Sequence, residues 1–160
     1  MKISEVSLKR FKRFTDLKIT GIPNTAKLVV LVGPNGSGKT SIFEALNHWY
    51  KVRGFNNRGS QDYIEKNDGE RSDQRTWFQN KVEITFFNNQ QYNQEQIKGK
   101  FYFRTAYRNE PDFTTSNLNR QNNPAENIKL ENLMQNDQTV SENYQRLVGQ
   151  TLAGVYETSN

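Results

Sequence analysis

Four residues in the stretch KLVVLVGPNGSGKTSIFEAL (27–46) have the types and spacing to hold the phosphates of a nucleotide: Gly33, Gly38, Lys39 and Thr40. They satisfy the pattern G-x-x-x-x-G-K-[ST]. Glycines let the backbone wrap an anion with successive N–H groups turned inward, and a following helix N-terminus adds partial positive charge. A lysine at this spacing reaches the β and γ phosphates. The hydroxyl beside it can ligate Mg²⁺, an ion that takes its other ligands from water and phosphate oxygen. The chemistry expected here is binding of a magnesium nucleotide.

Such a loop needs a strand to deliver it and a helix to leave it. In KLVVLV, five consecutive apolar residues between Lys27 and Gly33 predict a strand buried on both faces, as in a parallel sheet covered by helices. After the loop, Ile42, Ala45, Leu46 and Trp49 recur at i, i+3, i+4 and i+7, which predicts one apolar helix face packed on the sheet. His48 falls off that stripe and is expected to face solvent.

Upstream, Ile3, Val6, Leu8 and Phe11, then Phe14, Leu17, Ile19 and Ile22, form two partly alternating runs around a basic patch, a paired-strand pattern. Residues 51–75 turn polar with scattered glycines and predict a loop-rich connection. KVEITFF (81–87) and KFYFRTAYR (100–108) predict an antiparallel pair, with Val82, Ile84 and Phe86 sharing one face, and Phe101, Phe103 and Thr105 another. Residues 109–127, with two prolines and many turn formers, predict irregular structure. TVSENYQRLVGQTLAGVYE (139–157) predicts a helix, with Ser141 as N-cap and a stripe of Tyr144, Leu147, Val148 and Leu152.

Composition bounds the rest. The chain has 160 residues, a length that fits one domain. With 33% hydrophobic residues and a mean hydropathy of -0.94, its core is thin. The Asn- and Gln-rich stretches at 88–96 and 117–138 read as solvated loops or a partner's interface. There is no cysteine, and a single histidine cannot build a zinc site alone. The N-terminus lacks the unbroken apolar core of a signal peptide, and no segment approaches the roughly 20 apolar residues that span a bilayer. A cytoplasmic protein without a membrane partner is expected. The net charge of +5 favours anionic partners such as nucleotides or nucleic acid. Arg10, Lys12, Arg13, Arg53 and Arg58 are the cations that could serve DNA, ATP or solvent.

LVGPNGSGKTSIFEAL, preceded by MKISEVSLKRFKRFTDLKI, resembles the start of the ABC-type ATPase heads of the RecF, RecN and SMC group, including its double-strand-break repair ATPases and the ATPase halves of OLD-type nucleases. The resemblance covers residues 1–50. It implies an α/β P-loop NTPase fold, the N-terminal lobe of an ABC-type head with a mixed β-sheet, a P-loop helix and the start of a helical or coiled-coil insertion. Residues 1–138 would be the head lobe, with the P-loop at 33–41, and residues 139–160 the start of the insertion. Position by position, the resemblance makes Asn35, Gly36, Ser37, Gly38, Lys39 and Thr40 the cradle for ATP and sets Ser41 beside the α-phosphate. It puts Thr40 on Mg²⁺ and turns Lys12 toward the nucleotide. The alternative for KRFKRF is a solvated strand end with snorkelling stems.

Hydrolysis requires carboxylates that hold Mg²⁺ and orient water. No run of four apolar residues ending in Asp-Glu occurs, and the group's LSGGQ-like motif and histidine switch are missing. The expectation is the N-terminal lobe of a longer ATPase, inactive by itself; the alternative is a protein that binds nucleotide without turnover. Gln135 and Gln138 both remain candidates for the group's γ-phosphate-sensing glutamine. The partners implied are the C-terminal lobe, a second copy joined on ATP, and DNA in repair or antiviral defence. A nuclease effector belongs to the same set, since FRTAYRNEPDF (103–113) is similar to segments of defence-cluster ATPases. A small P-loop kinase and a transporter ATPase subunit are the competing readings; two strands before the glycine loop argue against the kinase.

Overall fold

The alternation of Val6, Leu8 and Phe11 builds β1 (Ile3–Phe11), which pairs antiparallel with β2 (Phe14–Ile19). Val6 lies opposite Ile19, Leu8 opposite Leu17 and Phe11 opposite Phe14. Only Lys12 and Arg13 make the turn, and Lys12 takes the left-handed φ of 49° that so tight a connection favours. The fold comes from a computed structural model and is described for residues 1–73, 75–104 and 139–157. The chain divides into two compact units, Met1–Tyr102 and Phe103–Asn160.

In the first unit, α1 (Lys39–Phe55) follows the glycine loop, and a single turn, α2 (Gln61–Ile64), follows it. Next comes β3 (Val82–Phe86), antiparallel to the free edge of β1, with Val6 opposite Ile84 and Leu8 opposite Val82. The sheet order is β2-β1-β3. α1 packs on β1 and β3, as its apolar period requires. The core gathers Leu8 and Phe11, both fully buried, with Val6, Ala45, Trp49, Trp77 and Phe86. A short helix, α3 (Gln94–Ile97), closes this unit; its Asn93 and Gln96 form a capping box, so part of the expected Asn/Gln-rich link is ordered.

Several expectations are corrected. Residues 28–32 form no strand: Leu28, Val29, Val30 and Val32 are 79%, 55%, 67% and 90% exposed. A parallel strand needs a neighbour reached by a crossover, and the strand that follows α1 pairs antiparallel with β1 instead. Among the described residues the sheet is therefore antiparallel, not mixed. Second, residues 101–104 are not a strand, because β3 finds its partner in β1; Phe101 packs its ring on Trp49, with centroids 5.7 Å apart. Third, residues 51–75 are less loop-like than their polarity suggests, since α1 runs on to Phe55 and α2 intervenes. Thr105, residues 105–138 with the irregular stretch, and Gln135 and Gln138 lie outside the described residues. In the second unit α4 (Thr139–Glu157) begins two residues before Ser141, which puts that residue in its first turn rather than at the cap. Among the described residues no helix is long and apolar enough to cross a membrane.

His48 is a further correction. It is only 5% exposed, with its ring centroid 5.9 Å from that of Phe11 and 6.1 Å from that of Trp77. Burial, reinforced by the charges of Lys51 and Lys81, lowers its pKa from 6.5 to about 4. The folded state thus binds its proton less readily than the unfolded state. Its contribution to stability is full above pH 6.5 and is lost as pH falls from 6.5 to about 4, a difference of about 3 kcal/mol. Urea unfolding of the wild type and of His48→Leu at a series of pH values should show the wild type losing more stability over this interval. Parallel curves would refute the neutral, buried imidazole.

Candidate nucleotide-binding site

The glycine loop leaves the exposed segment 28–32 and enters α1. Residues 32–37 are all exposed, whereas Gly38, Lys39 and Ser41 are partly covered and Thr40 is exposed. Gly38 is the helix N-cap, with a φ of 99° and no side chain to bond the first amides of α1. Those N–H groups have no partner inside the helix and point out of its N-terminus, the arrangement that suits an anion. A Cβ on Gly38 would stand 2.5 Å from Phe14 Cζ and 2.8 Å from Arg13 Cδ, so no other residue fits there without displacing those two side chains. Lys39 curls back over the loop, donating from Nζ to the carbonyls of Gly33 at 2.7 Å and Pro34 at 2.8 Å. An ammonium centred on the loop, uncapped amides and an exposed Thr40 hydroxyl fit a magnesium nucleotide chemically.

The turn beside the loop divides its two cations. Lys12 Nζ makes an ion pair with Glu44 Oε2 and stands 3.7 Å above the ring centre of Tyr63. Glu44 is buried at 7% exposure, one helical turn beyond Thr40, and its other oxygen accepts from Tyr63 Oη at 2.5 Å. Burial first, then that carboxylate, raises the Tyr63 pKa, which keeps the phenol a donor. Lys12, expected to face the nucleotide, is thus engaged by α1. Arg13 is exposed, with its stem on Gly38 and Nη1 4.0 Å from where a Cβ on Gly36 would lie.

Backbone pairing fixes this turn. Lys12 N donates to Ile64 O at 2.8 Å, Lys66 N donates to Arg10 O at 3.1 Å, and Phe11 bridges Glu65. Beneath it Glu65 accepts from Lys81 Nζ at 2.9 Å, from Gln61 at 2.6 Å and from Ser72. Arg10 is held by Asp68 at 2.7 Å and Glu70 at 2.9 Å. Sequence reasoning missed Glu44, Tyr63 and Phe14. The position of Glu44 four residues after Thr40 was available as a helical signal, but Tyr63 and Phe14 reach the site only through folding.

A glycine loop opening a helix beside a small sheet defines a class, the P-loop nucleotide-binding proteins. A profile of the AAA ATPase domain matches residues 1–156, and the chain belongs to that family of nucleotide-binding ATPases. The chain is also similar to the DNA replication and repair protein RecF of Chlorobium phaeobacteroides (strain BS1), 39% identical over 56 residues. That match covers 35% of this chain and 15% of the relative, so the chain represents a small part of the relative's length. No solved structure matches.

Proposed function

We propose that residues 33–41 bind Mg–ATP. In this reading Asn35, Gly36, Ser37, Gly38, Lys39 and Thr40 cradle the phosphates, Ser41 lies beside the α-phosphate, and Thr40 ligates Mg²⁺. The observation that carries it is the uncapped N-terminus of α1 entered through Gly38 with Lys39 Nζ centred on the loop. When bound, Mg²⁺ would offset phosphate charge; the chain's own part is to supply amides, one cation and one hydroxyl.

The wider reading is the N-terminal lobe of an ABC-type, RecF- or SMC-like head that joins a second copy on ATP and acts on DNA in repair or antiviral defence, with a nuclease effector as a further partner. The exposed apolar run 28–32 supports a remaining lobe. It borders an apolar groove of about 350 Å³ lined by Val6, Ile19, Leu28, Leu31, Ile42 and Leu46, a surface suited to further strands of the same head. Hydrolysis belongs to that complete head.

Calorimetric titration with Mg–ATP tests the site. Wild type is expected to bind, and Gly38→Val is expected to lose binding, because its side chain would occupy the space of Phe14 and Arg13 at a φ of 99°. Equal affinity of the two proteins, both folded by circular dichroism, would remove the loop from the site.

A further inference from the structure

We propose that Arg13 is a phosphate-binding residue of this nucleotide site, its guanidinium pairing with the polyphosphate lying along the glycine loop. The inference rests on the reading of residues 33–41 as that site and adds a ligand from the β1–β2 turn. Two adjacent cations form the turn, and the fold gives them different surroundings. Lys12 is committed to Glu44 and to the ring of Tyr63. The neighbouring cations are committed too, with Arg10 on Asp68 and Glu70 and Lys66 on Asp68. Arg13 makes no hydrogen bond or ion pair among the described residues.

Its location is nevertheless constrained. The stem packs on Gly38, and Nη1 reaches toward Gly36, both glycines of the loop having positive φ. Flanking Phe11 and Phe14 face each other in the hairpin register, Phe11 is fully buried, and the amide of Lys12 is tied to Ile64. These contacts hold the turn and the Arg13 stem beside the loop while the residue itself stays exposed. A planar guanidinium offers two parallel donors to a phosphate, and without a carboxylate partner it has no ion pair to break on binding.

Calorimetry with Mg–ATP and the magnesium complex of inosine triphosphate, on wild type, Arg13→Gln, Arg13→Lys and Lys39→Ala, tests this. Arg13→Gln should weaken both nucleotides by the same factor, about 10- to 100-fold, the range for losing a charged hydrogen bond. Arg13→Lys should recover part of that loss, and the decline of affinity with salt should be shallower in Arg13→Gln. Since Arg13 is exposed, the melting temperature should stay at the wild-type value. If Arg13→Gln binds within twofold of wild type while Lys39→Ala is weakened by about two orders of magnitude, the Arg13 role is wrong and the loop reading stands. A loss confined to ATP would mean a base contact and also overturns the proposal. Failure of wild type to bind either nucleotide would overturn the site itself and Arg13 with it.

Discussion

Replacing Lys39 with alanine is expected to weaken Mg–ATP binding by about two orders of magnitude while leaving the fold intact. Among the described residues the ammonium bonds only to groups of its own loop, the carbonyls of Gly33 and Pro34 and, at 3.5 Å, Ser37 Oγ. Residues 33–37 are exposed, so water can satisfy those oxygens once the side chain is gone, and unfolding should be little affected. Binding is different. A cation beside uncapped amides adds a charge-assisted bond to phosphate, and such bonds are about twice as strong as neutral ones. Ligand-induced stabilisation gives an independent readout, since a ligand that binds only the folded state raises the melting temperature. With Mg–ATP at about 100 times the wild-type Kd, the wild type should shift upward by several times as much as Lys39→Ala. An undiminished shift in the variant would exclude Lys39 from phosphate binding.

The largest effect on stability is expected at the buried pair Glu65 and Lys81. Both side chains are nearly inaccessible, at 6% and 5% exposure. Removing one partner strands the other charge, a penalty of about 3–5 kcal/mol, which is a large share of the total stability of a small domain. Lys81→Met should therefore unfold at much lower urea than wild type. Glu65→Leu combined with Lys81→Met should be less damaged than Lys81→Met alone, because neither charge is then left buried. Burial pushes the Glu65 pKa up, but hydrogen bonds from Ser72, Lys81 and Gln61 outweigh it and bring it down to about 2. Its folded-state value lies below the ordinary 4.5, so this contribution is present above pH 4.5 and disappears as pH falls from 4.5 toward 2. A double variant no more stable than Lys81→Met would show that shape, not charge, governs the site. Because Glu65 bridges Phe11, losing the pair should also loosen the turn that carries Lys12 and Arg13 over the loop.

Local pattern alone determined the pieces closest to the chemistry. The spacing of Gly33, Gly38, Lys39 and Thr40, the period of α1 and the β1–β2 hairpin were all legible, because each depends on residues near one another in the chain. What surrounds each piece was not legible. The apolar run 28–32 read as a buried strand, yet burial requires a ladder partner from elsewhere, and periodicity says nothing about who supplies it. His48 read as solvent-facing because a single stripe was assigned to α1; the helix in fact also covers Glu44, Asn47, His48 and Lys51, and Trp77 completes the pocket around the imidazole. Of the two cations of KRF, the family resemblance turned Lys12 toward the nucleotide and left Arg13 unassigned. Only the fold, by bringing Glu44 and Tyr63 to one side of the turn and the glycine loop to the other, paired Lys12 and left Arg13 beside the loop. The physical reason is that charge and polarity belong to a residue, whereas partners and desolvation are set by elements distant in sequence.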